Sequence, residues 1–106
     1  MHYVSISVAD LRAEPKFASE RVSQLVYGDA LKILKEGEEY SLVEGNDGLQ
    51  GYMKTGVIAL GPQRTHKMTR RFRHGEIIIP FGGYVSGEEI ERFRIPKNHV
   101  VPMDTT

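Results

Sequence analysis

No cysteine occurs in the 106 residues, so the chain can form no disulfide, present no thiolate nucleophile and build no cysteine-ligated metal site. No apolar run approaches the ~20 residues that a membrane-spanning helix needs. The N-terminus, Met1-His2-Tyr3-Val4-Ser5-Ile6-Ser7, lacks the basic start and long apolar stretch of a secretory signal, which makes cytoplasm the expected location of the chain as written. Charge of either sign is not in excess, since 14 Lys and Arg balance 14 Asp and Glu. Catalytic signatures are missing as well: there is no G-x-S-x-G elbow and no H-E-x-x-H helix. Gly82-Gly83-Tyr84-Val85-Ser86-Gly87 lacks the spacing and the lysine of a phosphate-binding loop. The four histidines, His2, His66, His74 and His99, stand at no short ligand spacing, so neither a metal nor a cofactor is expected.

What remains is the composition of an ordinary soluble domain, 40% hydrophobic and 26% charged, with room for one compact unit or a small domain plus an appendage. The neutral total hides an asymmetry. Residues 1 to 50 hold nine acids against five bases, and residues 51 to 106 hold five against nine. Arg64, Lys67, Arg70, Arg71 and Arg73 follow one another without an intervening acid, a local basic stripe in a chain that is not basic.

Residues 3 to 8 alternate with period two, which predicts a half-buried strand with Val4, Ile6 and Val8 on one face. A charged loop over 9 to 20 follows. Arg21 to Tyr27 resume extended structure with Val22 and Val26 in phase, and Gly28-Asp29 turns the chain. Ala30 to Lys35 and Tyr40 to Glu44 read as strands, the latter with Tyr40 and Leu42 on one face. Gly45-Asn46-Asp47-Gly48 is a strong hairpin signal, because Asn, Asp and Gly tolerate the positive φ of tight turns. Leu49 to Met53 returns across that turn, Lys54-Thr55-Gly56 makes one helical turn, and Val57 to Leu60 closes the sheet. Short strands at close spacing with a long loop near the start predict a mainly β chain with a small SH3-like barrel over residues 1 to 60. Gly61-Pro62-Gln63 marks its end.

Residues 61 to 106 read as a hairpin and helix appendage packed on the first unit, because some 40 residues hold little core of their own. Met68, Arg70 and Phe72 alternate with Thr69, Arg71 and Arg73, and His74-Gly75 turns the chain into Glu76 to Phe81. Ser86-Gly87-Glu88-Glu89 fits a capping box that starts a helix running to about Phe93, and Ile95-Pro96 ends it.

Val8-Ala9-Asp10-Leu11-Arg12-Ala13-Glu14-Pro15, the stretch Ser19 to Asp29, Tyr40-Ser41-Leu42-Val43 and Asp47-Gly48-Leu49-Gln50-Gly51-Tyr52-Met53 together carry a family pattern. Over about residues 4 to 60 the chain resembles the bacterial SH3-like domain of NlpC-type cell-wall cysteine peptidases, γ-D-glutamyl-diamino-acid endopeptidases that cleave peptidoglycan stem peptides, and residues 61 to 106, with Ile79-Pro80-Phe81-Gly82 before the short helix, resemble the connector or reduced second barrel that precedes the catalytic domain in such enzymes. Tyr40 stands where that family usually has tryptophan, and Leu49 where it commonly has tyrosine. The resemblance implies that an acid of the long loop, here Glu14, and an aromatic of the barrel meet the amine of the substrate's first L-alanine. Tyr52 is the candidate for the aromatic. The family's nucleophile is a cysteine, so this chain lacks the reaction; the resemblance implies a non-catalytic recognition module, either alone or as the N-terminal part of a longer enzyme.

Candidate ligand-binding residues are therefore Glu14, Tyr27 and Tyr52, with Tyr27, Tyr40 and Tyr52 lining a groove between the long loop and the Gly45 to Gly48 turn. The bland readings are that Glu14 pairs with Arg12 or nearby amides and that the tyrosines pack at the edge of the core. Asp10 reads as a cap of loop amides. The expected partner is a peptidoglycan peptide or an NlpC-type catalytic domain, with no membrane. An alternative is a nucleic-acid-binding barrel that uses Lys67, Arg70, Arg71 and Arg73 of the stripe, whose bland reading is a surface neutralised by the acidic first half. A third is a structural adaptor that docks another protein.

Overall fold

The computed structural model describes residues 1–103; residues 104–106, the end of the second segment, lie outside the described residues. Strands β1 (His2–Val4), β2 (Val8–Arg12), β3 (Arg21–Val26), β4 (Ala30–Lys35), β5 (Tyr40–Gly45), β6 (Gln50–Lys54) and β7 (Ile58–Leu60) form one sheet, with a single 3-10 turn at Thr55–Val57 before the last strand. The sheet is curled, in the order β3-β2-β6-β5-β4-β1-β7, with every pairing antiparallel, and makes a small SH3-like barrel. The fold is mainly β, as the strand spacing predicts.

The predicted strand over 3 to 8 is broken in two. β1 pairs with β4 and β7, whereas β2 pairs with β3 and β6, so the chain must cross from one side of the barrel to the other at Ser5 to Ser7. The Ser5 hydroxyl donates to the Val57 carbonyl at 2.8 Å and the Ser7 hydroxyl donates to the Ile78 carbonyl, which satisfies polar groups at the crossing. The crossing also shifts the alternation by one residue. Val4, Ala9 and Leu11 face the core, while Ile6 and Val8 remain exposed. β2 therefore continues through Arg12, and the long loop is shorter than the sequence pattern predicts, spanning 13 to 20. β3 is likewise out of phase with expectation: Leu25 is buried and Val22 is exposed.

The tight turns form where the sequence places them. At Gly48, φ is 84°, the Gly45 amide donates to Leu49 O, and the Asp47 carboxylate accepts from the Leu49 amide. Tyr40 and Leu42 share the outer face of β5, and Ser41 and Val43 turn inward. Val4, Ala9, Leu11, Leu25, Leu31, Val43 and Met53 close the barrel's core. Each buried aliphatic side chain of this kind contributes about 1.5–3 kcal/mol relative to exposure.

Beyond the barrel, β8 (His66–Met68), β9 (Phe72–His74), β10 (Ile77–Ile79) and β11 (Tyr84–Val85) lead into helix α1 (Gly87–Phe93), a 3-10 turn (Lys97–His99) and β12 (Val100–Pro102). β9 and β10 form the predicted hairpin, whereas β11, β8 and β12 make a separate small sheet. The expected alternation from Met68 to Phe72 is interrupted between β8 and β9, because the two strands belong to different sheets. The capping box is complete: the Ser86 hydroxyl accepts from the Glu89 amide, and the Glu89 carboxylate accepts from the Ser86 amide. Met68, Ile79, Val85 and Ile95 make a second core, and Tyr27 of the barrel is buried in it with Tyr3 packed alongside.

Candidate functional site

Period-two alternation on β2 sends Ala9 and Leu11 inward and leaves Val8, Asp10 and Arg12 on the outer surface. Register then supplies their neighbours. Asp10 lies opposite Gln24 of β3, and Tyr40 of β5 lies opposite Lys54 of β6. With Ile6, Phe17 and Val57 these residues line a groove of about 290 Å³ beneath the long loop, floored by Ala9 and Met53.

The loop is held in shape by its own polar groups. Buried Ser19 donates its hydroxyl toward the Glu14 and Lys16 carbonyls at 3.1 and 3.0 Å, and the Ala13 amide donates to Glu20 O at 2.9 Å. Arg12 ties the loop to the sheet by donating to Ser19 O at 3.0 Å and to Asp10 Oδ2 at 2.7 Å. Its guanidinium lies 5.3 Å from the centre of the Phe17 ring, which is 73% exposed at the groove's mouth. The Gln24 amide donates to Asp10 Oδ1 at 3.0 Å. That hydrogen bond is the largest effect, and with the charges of Arg12 and Arg21 it holds the Asp10 carboxyl below its ordinary pKa although burial opposes it. The groove thus combines apolar walls, two aromatic rings and an acid–base pair whose charges are engaged with each other.

Glu14, Tyr27 and Tyr52 are not brought together. Glu14 is exposed at the loop tip, 3.7 Å from the Lys16 ammonium, and lies outside the groove lining. Tyr27 is 4% exposed, and its hydroxyl donates to the Glu89 carboxylate; burial, then that hydrogen bond, pushes its pKa well above the ordinary phenol value. It is a junction residue, which corrects its reading as a groove wall. Tyr52 is half-buried on the outer face of β6, level with Arg12, but does not line the groove. Of the three tyrosines considered, only Tyr40 does so. The sequence reading missed Phe17, whose signal is that it is the one large apolar side chain within the polar loop 13 to 20. Asp10 accepts from side chains of Arg12 and Gln24, not from the loop amides expected of a cap.

The basic stripe separates into two kinds of residue. Lys67, Arg70, Arg71 and Arg73 are exposed, and the Arg73 Nε donates to Gly75 O at 2.9 Å. Arg64 is buried, donating to the Glu89 carboxylate and to Pro62 O, with its guanidinium 4.0 Å from the centre of the Tyr3 ring. Among the described residues no acid of the barrel pairs with the stripe; the one carboxylate that does so, Glu89, comes from the second segment. The expected neutralisation by the acidic first half is therefore not what the structure contains.

Residues 7–59 match the family model of the bacterial SH3 domain. No curated protein and no solved structure matches the chain.

Proposed function

The chain belongs to the bacterial SH3 domain family, and from that premise we propose that it is a non-catalytic module that binds a short extended peptide, with the peptidoglycan stem peptide as ligand. The observation that carries this reading is the groove itself: Ile6, Val8 and Phe17 are left exposed around it although the barrel has an intact core beneath. A catalytic domain of a cell-wall peptide hydrolase, in the same polypeptide or another, is the proposed user of that recognition, because no cysteine is present to act as nucleophile. The groove's acid and base, Asp10 and Arg12, are committed to each other.

Titration of the ¹⁵N-labelled chain with an L-Ala-γ-D-Glu-containing peptide tests the reading. Amide shifts confined to Val8, Arg12, Phe17 and Lys54 are expected. No shift at millimolar peptide, or shifts only on the β9–β10 hairpin, would count against it.

A second reading rests on the exposed Lys67, Arg70, Arg71 and Arg73, none of which has a carboxylate partner among the described residues. Phosphate-backbone binding by these residues would weaken steeply with salt and fall on charge reversal of Arg71 and Arg73. Binding that survives that double substitution excludes it.

A further inference from the structure

The groove has a sign. Both carboxylate oxygens of Asp10 are engaged, Oδ1 by the Gln24 amide and Oδ2 by the Arg12 guanidinium, so its charge is cancelled within the protein. A cationic ligand would have to compete with Arg12 at 2.7 Å for that acid. Lys54 stands differently. It lines the groove opposite Tyr40 in the β5–β6 ladder, is exposed, and its ammonium has no ion-pair partner among the described residues. The β4–β5 connection comes close behind it, since the Thr55 amide donates to Glu39 O at 2.9 Å, but Glu39 forms no ion pair with Lys54. Arg21, opposite Arg12 in the β2–β3 ladder, adds a second positive charge beside the groove.

Resting on the recognition reading above, we propose that the groove selects an anionic peptide: apolar side chains lie against Ile6, Val8 and Phe17, and a carboxylate on the peptide is received by the Lys54 ammonium. Charge complementarity names this occupant, because Lys54 is the groove's uncommitted charge and an ammonium on the rim is a donor that apolar contact alone does not use. Lys54 is then a specificity-determining residue. It contributes little to the apolar part of binding and decides between ligands that differ only in charge.

The test uses three peptides of one length and one apolar sequence that carry Glu, Gln or Lys at a single position, titrated against the whole chain and followed by groove amide shifts. The Glu peptide should bind about fivefold more tightly than the Gln peptide, the size of one surface ion pair, and the ratio should shrink at high salt. Lys54→Met, which keeps the aliphatic stem, should bind the Glu and Gln peptides equally. Lys54→Glu should favour the Lys peptide, and unchanged amide spectra of both variants would show an intact fold. Equal binding of Glu and Gln peptides by the unsubstituted chain overturns the proposal while leaving groove recognition standing, as does a Glu preference that survives in Lys54→Met. Failure of all three peptides to shift the groove overturns both.

Discussion

The Glu89 carboxylate accepts from the Tyr27 hydroxyl, the Arg64 guanidinium, and the amide and hydroxyl of Ser86, and both it and Arg64 are at most 5% exposed. A buried ion pair of this kind adds little relative to a well-packed apolar substitute, but loss of one partner leaves the other charged and desolvated. Glu89→Gln is therefore expected to lower stability by about 3–5 kcal/mol in urea unfolding. Tyr27→Phe, which removes one donor and leaves the pair, should cost about 1–3 kcal/mol. Two aspartates give opposite acid responses. The folded Asp10 pKa lies below its unfolded value, so its contribution is complete above about pH 4 and is lost as pH falls through the folded value. Burial raises the Asp29 pKa, so ionising it costs stability as pH climbs through the interval above its unfolded value. Asp29→Asn keeps an oxygen for the Val26 amide, which now donates to Asp29 Oδ2 at 2.8 Å, and removes the charge. It should equal or exceed the unsubstituted chain in stability at pH 7, with the advantage shrinking toward pH 4; a variant clearly weaker at pH 7 would contradict this.

At the scale of elements, the β3–β4 turn joins the two parts of the molecule. Gly28 has φ of 83°, its amide donates to Val4 O at 2.8 Å, and a Cβ built there would lie 1.8 Å from Tyr84 O. Gly28→Ala must therefore adopt a disfavoured backbone conformation and also displace β11. A loss of at least about 1–3 kcal/mol is expected, read as a lower thermal midpoint. The long loop offers the complementary case. Phe17 is largely exposed, so Phe17→Ala should leave urea stability within about 0.5 kcal/mol while weakening peptide binding in the groove. Its ring lies against the Arg12 guanidinium, and the Ser19 hydroxyl bonds shape the loop that carries it. The cap of α1 was readable from Ser86 and Glu89 because the motif is local. The second function of Glu89 was not, because its Arg64 partner is 25 residues away and its Tyr27 partner 62.

For the whole molecule, the boundary at Gly61-Pro62-Gln63 divides the sequence more sharply than it divides the packing. Tyr3 and Tyr27 of the barrel belong to the second core, the Tyr84 amide donates to Tyr27 O at 2.8 Å, and the N-terminal ammonium donates to Gly61 O at 2.8 Å. Unfolding of barrel and appendage should thus coincide: tyrosine fluorescence and far-ultraviolet circular dichroism are expected to report one urea transition, and two separated transitions would show that the cores are independent.

The sequence by itself determined what rests on nearest neighbours. Gly48 and Gly28 required turns, Ser86 and Glu89 required a helix start, β-rich alternation required a sheet, and the absence of cysteine removed thiol chemistry. Tertiary structure decided which face the first strands bury, because the crossing at Ser5 to Ser7 shifts the period-two pattern by one residue, so that Val8 turns outward and Ala9 and Leu11 turn inward. It likewise decided that Tyr27 and Arg64 lie at the junction of the two cores and that Asp10, Phe17, Tyr40 and Lys54 share a groove. Those groupings depend on contacts between residues far apart in the chain, and local pattern carries no record of which distant partner will satisfy a buried charge or stand across a ladder.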